Sequence, residues 1–242
     1  MNKDNLYIVM PAYNESENIE NIVQEWHSII EKINNGSKLV IVDDSSKDDT
    51  YEKLIKLQKI YNKLEVLKKE NSGHGISCLY LYNYSLEHNP NWIFQTDSDG
   101  QTNPNEFWIF WEKRNEYNFL IGSRLSRKDG NERIFVTKTL KFILFLIFRI
   151  NIPDANTPFR LMRTDSLRNY VSIIPDNSFL SNILLSILIV NFDEKYAWLP
   201  ISFKNRQGGV NSINFKKIIR IGFKAIKDFN NFKKYINEYK RN

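Results

Sequence analysis

Apolar positions in the first hundred residues follow two alternating rhythms. Short apolar runs stand at "LYIVM" (6–10), "KLVIVDD" (38–44), "LEVLKK" (64–69) and "WIFQTD" (92–97). Between them lie longer stretches with apolar residues about every 3.6 positions, the period of a helix with one buried face. In "SENIENIVQEWHSIIEKI" (16–33) these are Ile19, Ile22, Val23, Trp26, Ile29, Ile30 and Ile33, and Ser16 stands where an N-cap is expected. "DDTYEKLIKLQKIY" (48–61) and "GHGISCLYLYNYSLEH" (73–88) predict two more helices. Strands alternating with helices predict right-handed crossovers and a largely parallel sheet with helices on both faces, an α/β fold.

Ligands of such sheets bind beyond the carboxyl ends of the strands. The first strand ends in "PAYNE", the second in "DDSS", the third leads into "ENSGHG", and the fourth ends in "TDSDGQ". One pair of carboxylates at a strand end is often only a turn former or a helix cap. Two pairs at neighbouring strand ends, with a Gly-rich turn between them, identify this edge as the site. Asp97 and Asp99 repel each other and lose hydration at the end of a buried strand, so something cationic must offset the cost.

Absent motifs narrow the chemistry. No GxGxxG follows the first strand and no GxxxxGK[ST] occurs, so neither a dinucleotide fold nor a P-loop enzyme is expected. His27, His74 and His88 lack zinc-site spacing, and His27 reads as helix surface. No nucleophile elbow is present. The single cysteine, Cys78, excludes an internal disulfide and suits a reducing compartment. The longest apolar run near the middle, Phe142 to Phe148, is far shorter than the roughly 20 residues of a spanning helix, and no signal pattern opens the chain. A cytoplasmic or peripheral protein is therefore expected.

The net charge of +6 is unevenly spread. From Phe215 onward cations crowd around apolar residues at helical spacing, and the only acids are Asp228 and Glu238. That pattern fits a helix packed on the domain or one lying on an anionic membrane surface; nucleic-acid binding is not expected, because no recognised motif accompanies the charge.

"PAYNE", "VDDSSKDDT", "TDSDGQTNP" and, near the middle, "DANTPFRLMR" occur in an order and at a spacing that resemble family 2 glycosyltransferases with the Rossmann-like GT-A fold. The resemblance runs from about Leu6 to Ser212. "GSRLSRKDG", "DANTPFRLMR" and "PISFKNRQGGVNS" are most similar to the polyprenyl-phosphate sugar synthases, the dolichyl-phosphate mannose synthase type. It implies a GT-A domain over 1–212 followed by a basic amphipathic helical tail over 213–242. It implies an inverting transfer from a GDP- or UDP-sugar to a polyprenyl phosphate, with Mg²⁺ or Mn²⁺ on Asp97, Asp99 and Gln101. Asp44, and with it Asp43, is expected at the nucleoside, with Pro11, Ala12, Tyr13 and Glu15 as the wall beside base and ribose. Gly73 and Gly75 are expected to let the backbone approach the nucleotide.

For the acceptor, Arg124, Arg133 and Arg206 are expected around a phosphate, with Arg160 nearby and Arg127 in the same charged loop, since the guanidinium fork suits phosphate oxygens. Arg124 and Arg206 are counted with Asp97 and Asp99 as catalytic. Arg160 stands in "DANTPFR", where relatives commonly carry Gly at the position of Pro158. Relatives that glycosylate hydroxyls supply a carboxylate base near "PDNSFLSNILLSI", where this chain has only Asp176. A phosphate is anionic at pH 7 and needs no base. The alternatives are a hydroxyl acceptor with Asp154 or Asp176 as base, and a nucleotide-sugar-binding protein without turnover. Thr137–Ile150 and Phe215–Asn242 are the segments expected to touch an anionic membrane, on its inner, cytoplasmic face.

Overall fold

The computed structural model describes residues 4–33, 36–124, 131–204 and 215–240, with backbone alone at 131–136 and 215–224. In chain order the elements are β1 (Leu6–Ala12), α1 (Ile19–Ile30), β2 (Lys38–Asp43), α2 (Thr50–Gln58), β3 (Leu64–Lys68), α3 (His74–His88) and β4 (Trp92–Gln95). A 3₁₀ turn at Pro104–Glu106 leads into α4 (Phe107–Lys113), then β5 (Phe119–Arg124), α5 (Asn131–Phe148), β6 (Arg160–Arg163) and α6 (Thr164–Val171). The last elements are α7 (Ser181–Asn191), β7 (Tyr196–Ile201) and α8 (Phe215–Tyr239).

The seven strands form one sheet in the order β3-β2-β1-β4-β6-β5-β7. β3, β2, β1 and β4 pair in parallel, as the crossovers require. β6 runs antiparallel to both β4 and β5, and β7 is parallel to β5. Within this sheet β6 alone is reversed, so the carboxyl ends of β1, β2, β4, β5 and β7 share one edge.

Unbroken apolar runs make sense once both faces are covered, because successive strand residues point to opposite sides. Tyr7 and Val9 join Val40, Val42, Ile93, Phe119 and Ile121 under the helices α3, α6 and α7. Leu6, Ile8 and Met10 join Leu39, Ile41, Trp92 and Phe94 under Trp26 of α1 and Phe107 and Phe110 of α4. Phe94 meets Phe107 and Phe159 edge-to-face at 5.0 and 4.7 Å, the geometry favoured by aromatic quadrupoles.

α1 begins at Ile19 with Asn18 as N-cap, so Ser16 lies outside the helix. His27 is buried rather than on the helix surface; its ring packs on Tyr61 at 4.7 Å. α8 sets Ala225, Phe229, Phe232 and Ile236 into the same core as α5 and α7, with Phe229 against Phe148. On α5, Leu144 and Phe148 face inward, while Phe142, Phe145 and Leu146 are 61%, 48% and 49% exposed. No helix among the described residues is long and apolar enough to cross a membrane.

Candidate active site

Where β1, β2 and β4 end, a cavity of about 670 Å³ opens, lined by Pro11, Ala12, Tyr13, Glu15, Asp44, Gly73, His74, Asp97 and Asp99. Asn14 turns the chain after β1 with φ 54°, a left-handed conformation that asparagine tolerates. Glu15 is anchored by its N–H donating to Thr50 Oγ1 at 2.9 Å. Tyr13 is 39% exposed and offers its ring to the cavity mouth.

The two acids at the end of β2 part company. Asp43 is fully buried, and both its oxygens accept the Ser46 N–H at 3.3 and 3.2 Å, so it holds the turn after the strand and does not line the cavity. Asp44 reaches across to the loop before α3. It accepts Ser72 N–H at 3.0 Å and Gly73 N–H at 2.8 Å, and it is paired with Lys69. Asp44 is buried, yet it remains part of the cavity wall.

Gly73 and Gly75 serve different ends. Gly73 has φ +88°, which an L side chain rarely adopts, with nothing within 4 Å of an added Cβ. Gly75 is required by packing instead: an added Cβ would stand 2.4 Å from the Phe179 carbonyl oxygen. Ser181 Oγ donates to the Gly75 carbonyl at 2.8 Å and seals that contact.

After β4 the chain makes a tight turn that places both remaining carboxylates on the cavity. Ser98 Oγ donates to the Pro11 carbonyl at 2.8 Å, tying this turn to β1. Gly100 takes φ +70°, and Asp99 Oδ1 accepts Gln101 N–H at 3.1 Å. Gln101, expected as a third cation ligand, is buried and does not line the cavity; its Nε2 donates to the Lys204 carbonyl at 2.9 Å. Asp97 Oδ1 lies 2.7 Å from His74 Nε2. Desolvation disfavours charge on the His74 ring, but the Cys78 sulfur and the Asp97 carboxylate outweigh it and hold the pKa well above the ordinary histidine value. Along the chain, His74 is marked for the site only by its position between two glycines at the start of α3.

Arg124, at the carboxyl end of β5, belongs to the same sheet edge but is engaged by a carboxylate. Its Nε and Nη2 donate to Asp154 at 2.6 and 2.7 Å, and Phe203 covers the guanidinium at 4.9 Å. Arg160, expected near the acceptor phosphate, is completely buried. It donates to the carbonyls of Thr157 and Ala155, both at 2.7 Å, and burial lowers its pKa. Asp176 lines a separate cavity of about 530 Å³ between the 172–180 segment and α8. Arg127 and Arg206 lie outside the described residues, as does the side chain of Arg133.

The profile of the family described as "Glycosyl transferase family 2" matches residues 7–171, from β1 to α6, which include Asp44, Asp97, Asp99 and Asp154. The chain belongs to glycosyl transferase family 2. It is therefore a glycosyltransferase, and the seven-stranded sheet is this family's GT-A arrangement. A UDP-N-acetylglucosamine–dolichyl-phosphate N-acetylglucosaminyltransferase from Methanococcus voltae is 25% identical over 67% of this family 2 chain and 71% of that protein. The polyprenol monophosphomannose synthase of Mycolicibacterium smegmatis is 23% identical over 90% of this chain and 84% of its own. Among solved structures, glucosyl-3-phosphoglycerate synthase from Mycobacterium tuberculosis, in complex with Mn²⁺, UDP and glucosyl-3-phosphoglycerate, superposes with a TM-score of 0.61. It covers 86% of this chain and 74% of that one at 15% identity, a likeness of fold.

Proposed function

We propose that this glycosyltransferase moves a sugar from a nucleotide-sugar donor, GDP- or UDP-linked, to a polyprenyl phosphate with inversion. The observation that carries the donor half is the single cavity joining the Pro11–Glu15 wall and Asp44 to Asp97 and Asp99. Base and ribose lie against Tyr13 and the β1 end, and the diphosphate lies between the first turn of α3 and the two carboxylates. Asp97 and Asp99 are hard oxygen donors on one turn, a pair suited to Mg²⁺ or Mn²⁺. Held there, such a cation would supply Lewis-acid neutralisation of charge on a departing diphosphate. The relatives named for dolichyl-phosphate and polyprenol substrates, and the Mn²⁺ and UDP in the structural neighbour, support the same reading.

The acceptor half rests on what has become of the two possible bases. Asp154 is clamped by Arg124, and Asp176 faces a different cavity. A hydroxyl acceptor needs a base beside the donor; a phosphate acceptor brings its own charge. Arg124 holds Asp154 through Nε and Nη2, so Nη1 is the arm that an acceptor phosphate reaches, with Arg133 and Arg206 proposed as its partners. The exposed Phe142, Phe145 and Leu146 on α5, flanked by Lys138, Lys141 and Arg149, suit contact with the anionic cytoplasmic face of a membrane, where a polyprenyl chain would remain.

The test is transfer from a panel of GDP- and UDP-sugars to a short polyprenyl phosphate with Mn²⁺ or Mg²⁺, beside Asp99→Asn. A metal-dependent glycolipid that is lost in Asp99→Asn is the expected result. Donor hydrolysis without transfer would move the acceptor to a hydroxyl compound, and no nucleotide binding at all would sink the site.

A further inference from the structure

The loop between β3 and α3 is held by carboxylates from two different strands. At the end of β2, Asp44 accepts the N–H groups of Ser72 and Gly73. One residue further on, His74 meets Asp97, at the end of β4, through Nε2 at 2.7 Å. The His74 side chain is 47% exposed and Asp97 24%, so the bond lies in the cavity wall between Gly73, Ser77 and Asp99. Its second ring nitrogen, Nδ1, is 3.8 Å from Cys78 Sγ, a much weaker contact. An ionised carboxylate only accepts, so His74 donates through Nε2 and commits Asp97 Oδ1 to the protein. The other oxygen of Asp97 takes no part in this bond.

We propose that His74 is a positioning residue for Asp97: its hydrogen bond fixes the rotation of the carboxylate, and the loop that Asp44 pins carries that restraint from the nucleoside wall to the cation. The inference rests on the reading of Asp97 as a cation ligand. Ligating side chains are commonly oriented by such an outer partner, and losing one weakens metal affinity by roughly 10- to 100-fold. The bond spans 23 residues and joins two strand-end loops, so it depends on the folded sheet edge and not on local sequence.

The experiment measures free Mn²⁺ by EPR, and UDP and GDP binding by calorimetry with and without Mn²⁺, on the wild-type chain, His74→Leu and His74→Gln. Melting temperatures of the variants check folding. His74→Leu is expected to weaken Mn²⁺-dependent nucleotide binding about tenfold. His74→Gln, which keeps an amide N–H near the position of Nε2, is expected to recover most of that loss. Because His74 opens the helix turn set beside the diphosphate, the quantity compared is the ratio of nucleotide affinity with Mn²⁺ to affinity without it in each chain. Unchanged or tighter Mn²⁺-dependent binding in His74→Leu would overturn the proposal. So would equal weakening in both variants, which would make the ring nitrogen itself a ligand. Failure of the wild-type chain to bind Mn²⁺ or nucleotide would instead overturn the donor-site reading, and this inference with it.

Discussion

Replacing Asp154 by alanine removes both oxygens that hold Arg124, and the consequence separates a structural carboxylate from a catalytic base. The two side chains are only 9% and 6% exposed, so the pair is not of the solvent-screened kind worth about 0–1 kcal/mol. Losing one partner leaves a desolvated guanidinium without its counter-charge, at a cost of about 3–5 kcal/mol. In a chain of this size about 1 kcal/mol moves the melting temperature by roughly 2–4 °C, so a fall of roughly 6–20 °C is expected. Replacing both residues by apolar ones, Arg124→Met with Asp154→Leu, should recover much of the loss because no unpaired charge remains. Urea unfolding of the two single variants and the double variant gives the coupling directly. The pH–rate profile of Asp154→Asn completes the assay. If Asp154→Ala melted like the wild type while turnover collapsed and the acidic limb of the profile vanished, Asp154 would be a base. The hydroxyl-acceptor alternative would then displace the phosphate one.

Further outcomes follow from the same geometry. Gly75→Ala should destabilise by about 1–3 kcal/mol because its Cβ meets backbone at 2.4 Å. Gly73→Ala has open space but must hold φ 88° with ψ 164°, a region nearly confined to glycine, at about 1–3 kcal/mol, so an unchanged urea midpoint in either variant would refute the reasoning for that glycine. Burial holds the His27 pKa below the usual 6.5, with Glu31 acting weakly the other way. The unfolded chain therefore binds a proton that folded His27 resists, and stability is lost as pH falls from 6.5 until the lower folded pKa is passed. His27→Leu should flatten that stretch of the stability–pH curve, and an unaltered slope would assign it to another group. Serine at Phe142, Phe145 and Leu146 together should abolish flotation with anionic vesicles. Because all three are exposed, each change should alter stability by no more than about 0.5 kcal/mol, and undiminished flotation would remove α5 from the membrane contact.

Asp97, Asp99, Asp44 and the Pro11–Glu15 wall were legible because they follow strands whose apolar runs announce themselves. In a parallel sheet, the ends of successive strands must share an edge. Asp43 and Asp44 differ by one position, and which of the two faced the cavity depended on the Ser46 turn and on Lys69, 25 residues beyond Asp44. Gly75 read as a ligand-approach glycine, and only the packing of Phe179 against it reveals the backbone contact that forbids a Cβ.

The alternation of strands and helices, the two covered faces of the sheet and the edge at which the acids gather could be read before folding, because they depend on periodicity and on connections between neighbouring segments. The reversed entry of β6 between β4 and β5, the neutralisation of Arg124 by Asp154, the burial of Arg160 and the grip of His74 on Asp97 emerge with the assembled fold. Each of these is a pairing between residues far apart in the chain, or a burial produced by such pairings. Its strength comes from distance and desolvation after the sheet has closed, and no local pattern of apolar and polar positions encodes either.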